Sequence, residues 1–191
     1  MNMYLFRLIN GLAHKSSLLD RIMIIFSTYI PLFFMVALAY VYFYGVVKKD
    51  IRIRCIAVDT FVMTVINLIA SFGIGKIYYV PRPFVHHKVN LLIPHSADAS
   101  FPSDHVLGTL GIALGINNWF KIYGRVLVVL SLIVGVSRVY VGHHYPSDVL
   151  GGIVIAVIVN YAYRMLVKDK VAQIYVSIEG KFVKALYPKV I

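Results

Sequence analysis

Ser137 to Val167 reads S-R-V-Y-V-G-H-H-Y-P-S-D-V-L-G-G-I-V-I-A-V-I-V-N-Y-A-Y-R-M-L-V, a polar cluster that runs directly into an apolar segment. From Val149 to Val167 the only charged residue is Arg164. About 20 such residues in a helix cross the hydrocarbon core of a bilayer. The segment therefore predicts a transmembrane helix with ionisable groups gathered at its N-terminal end. Ionisable groups are expensive at a membrane boundary and are read first as functional.

Four further apolar runs precede this one. Ile22 to Val47 is interrupted only by Pro31, which predicts a kink. Cys55 to Ile74 carries Asp59 and Asn67 as polar interruptions, expected to stabilise helix contacts. Val106 to Phe120 is shorter and rich in glycine, and Val126 to Val136 is the core of the fourth run. Gly108, Gly111 and Gly115 form a small-residue face suited to close helix packing. The Tyr and Phe clusters at 40–44 and 78–79 read as interfacial belts. Tyr4, Leu5, Leu8, Ile9 and Leu12 recur at helical spacing, which predicts an amphipathic helix lying in the interface rather than a cleaved signal peptide. The expected fold is all-α: a polytopic helical bundle of about five transmembrane helices plus this N-terminal interfacial helix. Residues 1–191 form one expected domain, with a motif core over about 60–165 and a basic surface tail over 169–191.

Composition agrees with that class. The chain has 191 residues, is 60% hydrophobic and carries a net charge of +11. Its mean hydropathy is +0.79. A basic, apolar chain points to anionic lipid, and no soluble basic face with interleaved aromatics suggests nucleic acid. The single Cys55 makes neither an internal disulfide nor a cysteine metal cluster. With five crossings, twelve of the 19 Lys and Arg residues fall on one side and seven on the other, Lys76, Arg82 and Arg138 among the seven. The positive-inside rule makes the side with twelve cytoplasmic. The polar clusters then share the outer side, and the C-terminus is cytoplasmic.

Those clusters are K-I-Y-Y-V-P-R-P (Lys76–Pro83), P-S-D-H (Pro102–His105) and the Ser137–Asp148 segment. Cations, histidines, a serine and a carboxylate suit phosphoryl chemistry, where catalysis is mostly positioning and charge stabilisation. Arg82 and Arg138 can fork onto phosphate oxygens, and Lys76 can add a point charge. Ser103 stands where a helix N-cap is expected, and the backbone N–H groups at a helix start favour anions. Pro102-Ser103-Asp104 recurs as Pro146-Ser147-Asp148, a shared helix-start signal. His144 and Asp148 are four apart, so the carboxylate can fix one imidazole tautomer and leave the other nitrogen to attack. His105 is then the general acid for the leaving oxygen.

The ordered motifs resemble the type-2 phosphatidic acid phosphatase superfamily of membrane lipid phosphatases, over roughly residues 60 to 165. The resemblance implies that His144 is the nucleophile that becomes a phosphohistidine, with Asp148 as its partner. It implies that His105 is the acid that later activates water, that Arg82, Ser103 and Arg138 are phosphate ligands, and that neither a metal nor another cofactor is needed. Two positions depart from the family pattern. Five residues separate Lys76 from Arg82 where the family has six, so Gly75 holds the usual lysine place. Asp104 stands where glycine is usual and keeps a backbone N–H for phosphate. The segment P-H-S-A-D-A-S-F-P-S-D-H (Pro94–His105) and the opening N-G-L-A-H-K-S-S-L-L-D resemble undecaprenyl-pyrophosphate phosphatases of the bacitracin-resistance type.

The implied substrate is a polyprenyl diphosphate lipid in a bacterial plasma membrane, hydrolysed on the outer face to recycle the cell-wall carrier, with no obligate protein partner. The alternatives are a phosphatidylglycerol phosphate or phosphatidic acid phosphatase and, from another class, a lipid-phosphate binding or transport protein. Asp98 and His143 are candidates for substrate contact, His143 otherwise shaping a turn. His86, His87, Lys88 and His95 read as a solvated loop.

Overall fold

Pro31 divides the first apolar run into two helices. Proline lacks an N–H and fits the first turn of a helix, so the chain breaks at Tyr29 and restarts. The computed structural model describes residues 2–186, with side chains to Lys181. In order the helices are α1 (Asn2–Asn10), α2 (Ser17–Thr28), α3 (Ile30–Val47), α4 (Ile51–Ile77), α5 (Pro83–His86), α6 (Asp104–Asn117), α7 (Lys121–Tyr140), α8 (Pro146–Leu166) and α9 (Lys168–Leu186). The bundle is all-α and polytopic. Four helices, α3, α4, α7 and α8, are long and apolar enough to cross a membrane.

The third apolar run forms the shortest of the expected spans. α6 has 14 residues, about 21 Å at 1.5 Å per residue. It packs against α3, α4, α7 and α8, so it is sheathed by protein and need not match the thickness of the hydrocarbon. Leu107, Leu110, Ala113 and Ile116 form the core with Phe34 and Leu38 of α3, Leu127 of α7 and Ala156 of α8. On the α4 side, a Cβ at Gly111 would lie 2.8 Å from Asn67 Nδ2, and one at Gly115 would lie 2.5 Å from Thr60. These two glycines set the close α4–α6 approach. Gly108 does not share that role: a Cβ there meets only Leu68, at 3.6 Å, because the helices have begun to part. Asp59 links α4 to α8 by accepting from the Tyr163 hydroxyl at 3.1 Å. Asn67 is fully buried, and its amide has no hydrogen-bond partner among the described residues.

α1 docks differently from its apolar spacing. Tyr4, Leu5, Leu8 and Leu12 are exposed, while Phe6 and Asn10 are buried. Phe6 packs beside Val106, Val139 and Val149. The Asn10 amide donates to the Asn90 and Tyr140 carbonyls at 2.8 Å each and accepts the Asn90 N–H at 2.9 Å. The expected apolar stripe thus faces outward, and a polar side chain anchors the helix because it finds a full set of partners.

At the opposite end of the bundle, α9 packs on α4 and α8, with Arg54 ion-paired to Glu179. The expected surface tail is therefore helical to Leu186, while residues 187–191 lie outside the described part.

Candidate active site

Arg82 sits between two prolines. A residue before proline is pushed to extended backbone, and Arg82 has φ −64° and ψ 153° as the N-cap of α5. The chain around it pairs with the loop before α6: Pro81 bridges Ala99, and Ser100 N–H donates to the Val80 carbonyl at 2.7 Å. This pairing places Arg82, Asp98 and Ser100 together. Gly75 is buried, and a Cβ there would lie 3.1 Å from Ala99, so the usual lysine place is used for close packing. Lys76, one residue on, is exposed with Nζ 5.3 Å above the Phe72 ring.

The third cluster is shaped by the end of α7. Gly142 takes φ +92°, a left-handed conformation that glycine adopts without strain. The turn folds the chain back, so His143 and His144 N–H both donate to the Arg138 carbonyl, at 3.0 and 3.3 Å. His144 then precedes α8, and Asp148 is the third residue of that helix. One Asp148 oxygen accepts the Tyr145 N–H at 2.8 Å. The repeated Pro-Ser-Asp signal starts both helices but in different registers. Ser103 is the N-cap of α6, whereas Tyr145 caps α8 and Pro146 opens it, because Asp148 takes the capping acceptor role three residues in. Ser103 also departs from expectation: its hydroxyl makes no capping bond and is buried without a partner among the described residues.

His144 is fully buried. Its Nδ1 lies 2.8 Å from the Ser100 carbonyl. A carbonyl only accepts, so Nδ1 carries the proton and Nε2 presents a lone pair. Nε2 faces Arg82 Nη1 at 3.0 Å. Asp148 is 3.8 Å from Nδ1 and reaches it through Ser100, whose hydroxyl donates to Asp148 at 2.5 Å and lies 3.4 Å from Nδ1. The expected His144–Asp148 couple is thus relayed by Ser100, a residue that spacing alone does not single out. Burial pushes the His144 ring down to about 4 against the pull of Asp148, and the charges of Arg138 and Arg82 push the same way. Its ring is neutral at pH 7.

The other named residues surround this one. Arg82 is buried; Nε donates to Asp98 at 2.6 Å and Nη1 to the His143 carbonyl at 3.1 Å. Burial opposes ionisation of Asp98, but the hydrogen bond and charge of Arg82 outweigh it and hold the carboxyl below its ordinary range. Arg138 donates through Nη1 to Ser27 at 2.9 Å, while its Nε and Nη2 are buried with no partner among the described residues. Asp104 engages His105 by accepting its N–H at 2.8 Å and lying 3.0 Å from Nδ1, so its carboxylate is spoken for. His143 donates through Nε2 to the Ile93 carbonyl at 2.8 Å, and its ring centroid is 4.5 Å from that of His95. Burial pushes His143 down to about 3, with the Arg138 charge acting the same way.

Two cavities meet beside these residues. One of about 420 Å³ is lined by Lys76, Arg82, Asp98 and Asp104. The other, of about 580 Å³, is an apolar groove between α3, α4 and α6 that runs from Asp104 and His105 past Gly108 to Tyr42 and Phe43. Leu68 and Asp104 line both.

The chain matches the PAP2 superfamily over residues 56–171. It is 37% identical over 191 residues to undecaprenyl-diphosphatase BcrC of Bacillus subtilis, covering 96% of each chain. It is 31% identical to bacitracin transport permease protein BcrC of Bacillus licheniformis, covering 83% of this chain and 76% of that one. The crystal structure of Aquifex aeolicus LpxE superposes with a TM-score of 0.63 and 26% identity, covering 84% of this chain and 92% of that one.

Proposed function

This chain belongs to the PAP2 superfamily, and from that premise we propose that it hydrolyses undecaprenyl diphosphate to undecaprenyl phosphate and inorganic phosphate. The observation that carries this reading is the state of His144. Its ring is buried and neutral, its Nδ1–H is tied to Ser100, and its Nε2 lone pair faces an arginine. That is a nucleophile held in one tautomer beside an anion-binding group. The name of the Bacillus subtilis relative supplies the substrate, and the apolar groove opening beside His105 supplies room for a lipid tail.

In the first step Nε2 forms a bond to the terminal phosphorus, and the bond from that phosphorus to the bridging oxygen breaks. The electron pair leaves with the lipid monophosphate, and His105 delivers the proton that oxygen takes up. Arg82 swings from Nε2 to a phosphoryl oxygen, while Arg138 Nε and Nη2 and the Ser103 hydroxyl take the oxygens for which they are unpartnered. Ser100 and Asp148 face the Nδ1–H of the ring as it becomes cationic. In the second step His105 takes a proton from water, the water oxygen bonds to phosphorus, and the N–P bond breaks to restore neutral His144. The site faces the outer side of a bacterial plasma membrane, with the C-terminus cytoplasmic, which suits recycling of the cell-wall carrier. The charge asymmetry of the loops supports that orientation.

The name of the Bacillus licheniformis relative favours a second reading, transport or binding without turnover. Phosphate release from undecaprenyl diphosphate by purified protein with EDTA, wild type against His144→Ala, separates the two. Release that is lost in the variant supports hydrolysis. No release by folded wild type supports binding, and release from phosphatidylglycerol phosphate alone moves the substrate. Orientation is read separately with Lys88→Cys in a Cys55→Ala background, which an impermeant maleimide labels from outside if the site faces outward.

A further inference from the structure

Ser27 is the buried residue of α2, with no exposed surface. Its hydroxyl oxygen accepts from Arg138 Nη1 at 2.9 Å. α2 lies before residue 56, where the family match begins, so no shared motif assigns Ser27 a role. We propose that Ser27 is a positioning residue of the phosphate site: it fixes one side of the Arg138 guanidinium so that the Nε–Nη2 edge is aimed at the phosphoryl oxygens. This rests on the reading of the site as a phosphatase.

Three observations carry it. First, Nε and Nη2 of Arg138 are buried and unpartnered among the described residues, although the whole side chain is 3% exposed. Buried donors are ordinarily paired, and a planar fork of two N–H groups matches two oxygens of a phosphate. Second, the scaffold holding Ser27 is tied to the same stretch of α7. Tyr140, two residues beyond Arg138, donates its hydroxyl to Asp20 of α2 at 2.7 Å, and Asp20 also accepts the His14 N–H at 3.2 Å. Ser27 and Arg138 are thus held in register by a second contact. Third, the partner is neutral. Arg82 shares its charge with Asp98 at 2.6 Å, whereas the hydrogen bond from Arg138 ends on a hydroxyl. A hydroxyl orients the guanidinium without forming an ion pair with it.

The test uses full-length protein in detergent, with orthovanadate as the probe of the phosphate site. Its binding is read as ligand-induced thermal stabilisation, and kcat/KM is read on the lipid substrate. Ser27→Ala is expected to weaken vanadate binding and lower kcat/KM by about tenfold, the loss that follows from misaligning one hydrogen bond to a charged group. In an Arg138→Ala background the same substitution changes vanadate binding no further, because the group it orients is gone. Ser27→Asp keeps an acceptor but neutralises Arg138. It is expected to fold and to lose vanadate binding, which keeps the proposal testable should Ser27→Ala fail to fold. Wild-type vanadate affinity in either Ser27 variant, or equal losses in both Arg138 backgrounds, overturns the proposal while leaving the phosphatase reading intact. Absence of both vanadate binding and turnover in wild type overturns the two together.

Discussion

Arg82 Nη1 lies 3.0 Å from His144 Nε2, so the arginine covers the nitrogen proposed as nucleophile. In the proposed mechanism a phosphate oxygen displaces this donor and frees the lone pair. Asp98 holds the other side of the same guanidinium, which lets Arg82 exchange partners without leaving the site.

Loss of that hold is the first prediction. Asp98→Asn removes the charge from the pair and loosens Arg82, and kcat/KM should fall by about tenfold, the equivalent of one charge-assisted hydrogen bond. Steady-state kinetics on the lipid substrate check it. A value within twofold of wild type would make Asp98 a bystander.

The pH profile follows from His144. An attacking imidazole must be neutral, and the ring titrates at about 4 instead of near the usual 6.5. The acid limb of kcat/KM, which reports the free enzyme, is expected near pH 4. Stability follows the same sign. The folded state resists protonation while the unfolded chain takes it up from about 6.5 downward. The neutral-ring stability is therefore whole above the unfolded value and declines as pH falls toward the folded one. His143, held at about 3, adds to that decline. An acid limb near pH 6.5, in protein shown to be folded there, contradicts the assignment.

Ser100 separates two contributions. Ser100→Ala removes the hydroxyl link to Asp148 but keeps the backbone carbonyl that holds Nδ1–H. Activity should drop by about tenfold, the scale of one buried hydrogen bond, and the pH profile should keep its shape. Asp148→Ala strips the buried Ser100 hydroxyl and the Tyr145 N–H of their acceptor together and should cost more. Equal losses in the two variants would mean that the relay carries the whole effect.

The groove predicts a split between lipid and water-soluble substrates. Gly108 faces it with room for a side chain, so Gly108→Leu should fill it while sparing the helix contacts made at Gly111 and Gly115. KM for undecaprenyl diphosphate should rise, and hydrolysis of para-nitrophenyl phosphate should stay near wild type. Parallel losses on both substrates would indicate a folding defect instead.

Much of this was legible in the sequence because it is local. Apolar runs mark their own helices, Pro31 marks where the first run is disturbed, and Pro146 marks where α8 begins. The candidate residues stood out because charged groups at the ends of apolar runs are conspicuous. What escaped depends on contacts between distant parts of the chain. Ser100 lies inside the Pro94–His105 segment and Ser27 inside an apolar run, but spacing does not show that one meets His144 and the other Arg138. Asn10 lies between the apolar positions of α1, and spacing cannot show that Asn90 and Tyr140 supply its partners. Asp98 was read toward substrate, yet it pairs with Arg82, 16 residues earlier, through the Pro81–Ala99 bridge. Gly108 shares the spacing of Gly111 and Gly115 but lies where α4 and α6 have separated.

The most direct test of the account is to trap the covalent step. Undecaprenyl diphosphate labelled with 32P in its terminal phosphate is mixed with enzyme and quenched in base, where phosphohistidine survives, and the labelled peptide is identified. The account predicts base-stable, acid-labile label on the peptide carrying His144, and none in His144→Ala. Full turnover by His144→Ala, or label on another residue, would contradict it.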